Sequence, residues 1–138
     1  MLNKPKKTTY PTYHNLYKPN TFKLNSKFLK TTIALIATEN GILTAAQLAA
    51  ASLAIKRKIK QNLVFLIRVF PHIPVTKRPA EMPLGKGKSN ISYWATPIKA
   101  GTIIFELNCN ELVLTKTALL AASYKLPIKT QIINKPGN

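Results

Sequence analysis

Four glutamates, Glu39, Glu81, Glu106 and Glu111, are the only acids in the chain, against 21 lysines and arginines. Any compact fold must therefore carry a formal net charge of +17 in 138 residues. Such a chain repels itself until a polyanion neutralises it, and the usual polyanions are nucleic acid and acidic membrane. The same scarcity narrows the chemistry. A paired-carboxylate hydrolase needs two acids converging on one bond. A magnesium or calcium site needs several oxygen ligands. Apolar residues make up 46% of the chain, enough for a core, and the length suits one domain.

Cysteine and histidine add little. Cys109 is the only cysteine, so neither an intramolecular disulfide nor a multi-thiolate zinc site can form. His14 and His72 lie far apart in sequence, and no fixed spacing links His72 to Cys109 as base and nucleophile. Gly87-Lys88-Ser89 resembles the end of a P-loop, but Met82 stands where the required glycine should be. The chain reads as a non-enzyme that needs no cofactor or metal.

A membrane span is not expected. The longest uncharged stretch, residues 40–55, is 16 residues and contains Asn40, Thr44, Gln47 and Ser52. A span needs about 20 mostly apolar residues. The N-terminus lacks the apolar region of a secretory signal, and Pro5, Pro11 and Pro19 break any amphipathic targeting helix.

The charge comes in clusters. Residues 1–38 hold seven lysines and no acid. Lys56, Arg57, Lys58 and Lys60 follow, then Lys77, Arg78, Lys86 and Lys88 around Glu81. Residues 1–30 read as an extended basic arm, 31–133 as one folded domain and 134–138 as a polar tail. In the arm Tyr10, Tyr13 and Tyr17 recur among lysines. That interleaving suits base stacking with phosphate neutralisation, and equally suits packing on the domain surface.

Within the domain, residues 31–38 (TTIALIAT) predict a strand, and Asn40-Gly41 a turn. Thr44 with Gln47 has capping-box spacing, and Leu48, Ala51, Ile55 and Ile59 fall on one face of the helix that follows. Residues 63–70 predict a central strand with Arg68 embedded, ended by Pro71 and Pro74. Residues 71–90 predict a long loop. Strands are expected at 90–96 and 102–107, joined by a turn at 97–101. A second helix, capped by Asn110, is expected over 111–126, with Leu112, Ala118, Leu119, Ala122 and Leu126 on its apolar face. Pro127 closes it, and 129–133 is a last strand. Without regular βαβ alternation the class is α+β, a mostly antiparallel sheet packed with two main helices. Trp94 is expected in the core.

The candidate RNA contacts are Lys4, Lys6, Lys7, Tyr10, Tyr13 and His14 in the arm, and Lys56, Arg57, Lys58 and Lys60 at the helix end. Arg68 joins them from its strand, and Lys77, Arg78, Lys86, Lys88 and Asn90 from the loop. In Gly85-Lys86-Gly87-Lys88, glycine lets one backbone approach another while the lysines neutralise phosphate.

The order of segments resembles the large-subunit ribosomal proteins of the bacterial L-sixteen type. Met1-Leu2 and Pro5-Lys6-Lys7-Thr8 resemble that family's opening. Gly41-Ile42-Leu43-Thr44-Ala45 with Gln47 resembles its first helix start. Ile67-Arg68-Val69-Phe70-Pro71, with Pro74, Thr76 and Pro79, resembles its middle strand and loop. Gly85-Lys86-Gly87-Lys88 with Asn90, Tyr93 and Trp94 resembles its signature loop and strand. Ala121-Ala122 and the run Lys125-Leu126-Pro127-Ile128-Lys129-Thr130 resemble its last helix and strand. The likeness is specific from residue 41 onward and weak from 9 to 40.

The resemblance implies an α+β sandwich bound to large-subunit rRNA, with its long loop directed toward the peptidyl transferase centre and tRNA. It implies roles in subunit assembly and tRNA positioning, and no enzymatic activity. Its partners would be large-subunit rRNA, tRNA near residues 77–90 and neighbouring ribosomal proteins, with no membrane and no free homo-oligomer. Two departures stand out: Pro83 where the family usually has arginine, and Tyr10, Pro11 and Tyr13 where its arm is usually basic. Eighteen lysines against three arginines, with abundant Asn and Ile, suit an AT-rich organellar genome. The expectation is therefore a mitochondrial, organelle-encoded member. The alternative is a basic protein that docks on anionic membrane surfaces through its first helix.

Overall fold

The computed structural model describes residues 4–8, 33–59, 64–81, 83, 85, 87–108 and 111–134. Its elements run β1 (Ile33–Ala37), β2 (Gly41–Thr44), α1 (Ala45–Lys58), β3 (Val64–Ile67), β4 (Ile73–Thr76), β5 (Ile91–Ile98), β6 (Ile103–Asn108), α2 (Leu112–Ser123) and β7 (Thr130–Asn134). The strands form a four-stranded sheet, β3-β6-β1-β7, and a three-stranded sheet, β2-β5-β4. All pairings are antiparallel. The α+β class is as expected.

Strand β1 explains why its sequence is apolar at every position. It pairs with β6 on one side and β7 on the other. Ile33, Leu35 and Ala37 enter the main core with Leu48, Ala51 and Ile55 of α1 and Ala118, Leu119 and Ala122 of α2. Ala34 and Ile36 point to the opposite face and cluster with Ile103 and Ile133. A strand buried on both faces has no position for a polar side chain.

Helix α1 begins where its capping box places it. The Gln47 N–H donates to Thr44 Oγ1 at 3.3 Å, and the Thr44 N–H donates to Gln47 Oε1 at 2.9 Å. Two amides that lack helical partners are satisfied in this way. The predicted face is buried: Leu48, Ala51, Ile55 and Ile59 all lie in the main core.

Several elements differ from the sequence reading. Gly41 is not in a turn; the chain bends at Thr38 and Glu39, and Gly41 opens β2, opposite Ile98. Glycine is required there by proximity, since a Cβ would lie 2.3 Å from Ile128 Cγ2. Strand β3 is short and lies at the sheet edge, not its centre, because β6 and β1 take the central places. The expected loop at 71–90 begins with a strand: β4 contains Pro74, opposite Trp94. An edge strand has one unpaired side, so the missing N–H of proline is tolerated. Pro97 likewise lies within β5, not in the turn. It faces Ile42 beyond the last β4 partner of β5, Ala95, so only one side of the strand is paired there. The turn is made at Lys99–Gly101, with Gly101 at φ 86°.

Strands β5 and β6 are joined by that turn yet belong to different sheets. Helix α2 ends at Ser123, not at residue 126, and Leu112 is exposed. Ala118, Leu119 and Ala122 do face the core, and Leu126 packs against it from beyond the helix end. Asn110 lies outside the described residues. The N-cap position is Glu111, which makes no side-chain cap bond. Trp94 is half-buried, and the last strand reaches Asn134.

Candidate nucleic-acid interface

The loop between β4 and β5 is held at a paired base. Thr76 lies opposite Ile91, so Lys77 and Asn90 begin and end the loop just beyond that pair. Lys77, Arg78, Pro79, Pro83, Gly87, Lys88, Ser89 and Asn90 line a cleft of about 210 Å³. Arg78 Nη2 donates to the Pro83 carbonyl oxygen at 2.9 Å. Gly85 and Gly87 adopt φ of 99° and 83°, a left-handed backbone that favours glycine. The glycines of GKGK are thus needed for the path of the chain.

The cleft's lining has one chemical character. Among the described residues it holds three cations, a hydroxyl and a carboxamide, and no acid. Cations beside neutral donors suit a phosphate oxygen and repel a metal ion. Among the described residues no group of three or more His, Cys, Asp or Glu could hold a metal. His72 is exposed, with Nδ1 3.2 Å from the Phe70 carbonyl oxygen. Cys109 lies outside the described residues.

The other candidate contacts fall into three groups. Lys56, Arg57 and Lys58 are exposed in the last turn of α1, where they complement the helix dipole and face solvent. Lys4, Lys6 and Lys7 are exposed. Tyr10, Tyr13, His14, Lys60 and Lys86 lie outside the described residues.

Arg68 is differently placed. Its guanidinium forms a hydrogen-bonded ion pair with Glu106, whose side chain is 0% exposed while that of Arg68 is 28% exposed. The register accounts for the pair. Leu66 of β3 faces Glu106 of β6, and Arg68 lies two residues beyond Leu66, on the same face. Sequence reasoning assigned Arg68 to RNA and missed Glu106. The signal was there: each is the single charge in an otherwise apolar strand segment.

Residues 3–133 match the family described as Ribosomal protein L16p/L10e. The chain belongs to this family. The match reaches back through residues 9–40, where the visible likeness is weakest. The Large ribosomal subunit protein uL16 of Acinetobacter baumannii (strain SDF) is 38% identical over 131 residues, 95% of this chain and 96% of its own. The proteins of that name from Borreliella burgdorferi (strain ZS7) and Borrelia duttonii (strain Ly) are 43% and 41% identical, each over 99 residues and 72% of both chains. As a member of this family the chain is a ribosomal protein, and its loop at 77–90 gathers Lys77, Arg78 and Lys88 around one cleft.

Proposed function

We propose that the chain is a structural constituent of the large ribosomal subunit, held there by large-subunit rRNA and by neighbouring ribosomal proteins. Family membership carries this reading, and the acid-free cationic cleft at the loop supports it. The folded domain serves as a platform. The basic arm, the Lys56–Lys58 helix end with Lys60, and the loop at 77–90 extend between rRNA segments. Affinity comes mainly from phosphate neutralisation, and selectivity from RNA shape. The loop lies near the tRNA-binding side and the peptidyl transferase centre, where it helps to position tRNA; the rRNA performs the chemistry. The lysine-rich composition favours a mitochondrial ribosome in the matrix.

Sedimentation tests the reading. The chain should travel with large subunits through a sucrose gradient at moderate salt and should not float with anionic liposomes. Flotation without subunit association would overturn it. A membrane role through α1 would draw on Leu48, Ala51 and Ile55, which are fully buried in the core.

A further inference from the structure

Helix α2 has two apolar sides. Thr115, Ala118, Leu119 and Ala122 are buried against the core. Val113 and Leu120, seven residues apart and so on one face, lie on the opposite side and are 77% and 48% exposed. Tyr124 continues that line four residues on, at the C-cap, and is 78% exposed. A surface helix ordinarily turns polar residues outward, and one that is apolar all round belongs in an interior. Among the described residues none covers this face.

The charge pattern says what covers it. In a chain of net charge +17, the helix from Leu112 to Ser123 contains one charged residue, Lys116. RNA would gain little phosphate neutralisation here, since the cations are gathered in the arm, the α1 end and the loop. A second copy of the chain would bring another +17 against the first. A different protein fits. Its contact would bury Val113, Leu120 and Tyr124, and an exposed aromatic among aliphatics is typical of the buried centre of such contacts.

We infer that the outer face of α2 docks on another protein of the assembled subunit, through an apolar segment flanked by acidic side chains. The acids answer Lys116 and Lys125, both exposed beside the stripe. The chain thus carries an RNA side built of lysine and a protein side built of α2. The inference rests on the ribosomal reading above.

Two measurements test it together. Leu120→Glu and, separately, Tyr124→Ser are compared with wild type for binding to protein-free large-subunit rRNA and for retention in assembled large subunits after a salt wash. Both variants should keep the wild-type rRNA affinity and salt slope, while retention falls about tenfold for Leu120→Glu. A photoreactive residue at position 124 in assembled subunits should crosslink to an apolar protein segment with acidic neighbours, and Leu120→Glu should abolish that crosslink. Wild-type retention of both variants, loss of rRNA binding, or a crosslink to rRNA or lipid would overturn the docking inference alone. A wild-type chain that never enters large subunits would overturn the ribosomal reading and this inference with it.

Discussion

Arg78 donates a hydrogen bond from Nη2 to the carbonyl oxygen of Pro83 at 2.9 Å, tying the start of the loop to its middle. The cation is therefore engaged in shaping the cleft that it lines, while Lys77 and Lys88 line the same cleft. The Pro83 carbonyl is the group that Arg78 holds. This gives Arg78 a positioning role. Its replacement by alanine should weaken rRNA binding while leaving the salt slope near its wild-type value. Lys88→Ala should instead lower the slope by about one, as expected for a lost phosphate contact. Equal slope changes for the two variants, measured by filter binding across a salt series, would make Arg78 a phosphate contact too.

Gly41→Ala should destabilise the fold by about 1–3 kcal/mol, the usual cost of overpacking. The new methyl would sit 2.3 Å from Ile128 Cγ2, so β2 or the segment before β7 must shift. The double variant Gly41→Ala/Ile128→Ala should be more stable than the sum of the single effects allows. Urea unfolding midpoints of the four chains give the coupling. Additive losses would show that the two positions do not press on each other.

Arg68→Met should cost about 3 kcal/mol, at the low end for a broken buried pair because Arg68 is itself partly exposed. The cost arises from Glu106, whose carboxylate would remain buried without its cation. Adding Glu106→Gln should return part of the loss, since an amide is cheaper to bury than a charge. Chemical denaturation of the single and double variants reads the difference. Full stability of Arg68→Met would mean that Glu106 is adequately held by other groups.

Thr44→Ala removes the side-chain acceptor for the Gln47 N–H and should cost about 1 kcal/mol. Thr44→Ser keeps the hydroxyl and should cost much less. Thermal unfolding followed by circular dichroism would separate the two. A Ser variant as unstable as the Ala variant would point to a packing role for the threonine methyl in β2.

Local order was readable where one short rule governs. The Thr44–Gln47 box and the spacing of Leu48, Ala51 and Ile55 marked α1 and its buried face. The unbroken apolar run of β1 marked a strand buried on both sides. The expected loop at 71–90 was legible as a cation-rich segment, although residues 73–76 proved to form strand β4. The misreadings share one cause. Pro74 and Pro97 looked like strand breakers because the number of paired sides at each position cannot be seen in the chain. Leu112 looked like a core residue because the spacing of apolar residues on α2 fits two faces at once.

The sequence by itself determined the α+β class, the start of α1, the anionic character of the expected partner and the family. These follow from local spacing, net charge and motif order, all of which are properties of the unfolded chain. Only the tertiary structure decided that β3 lies at an edge, that Gly41 makes room for Ile128, and that Arg68 neutralises Glu106. It alone tied Arg78 to Pro83 and left Val113, Leu120 and Tyr124 exposed on the outer side of α2. Each of these depends on which strands pair, in what register and with what packed behind them. Such contacts join residues as distant in sequence as Ile33 and Asn134, which pair across β1 and β7, and no local rule reaches that far.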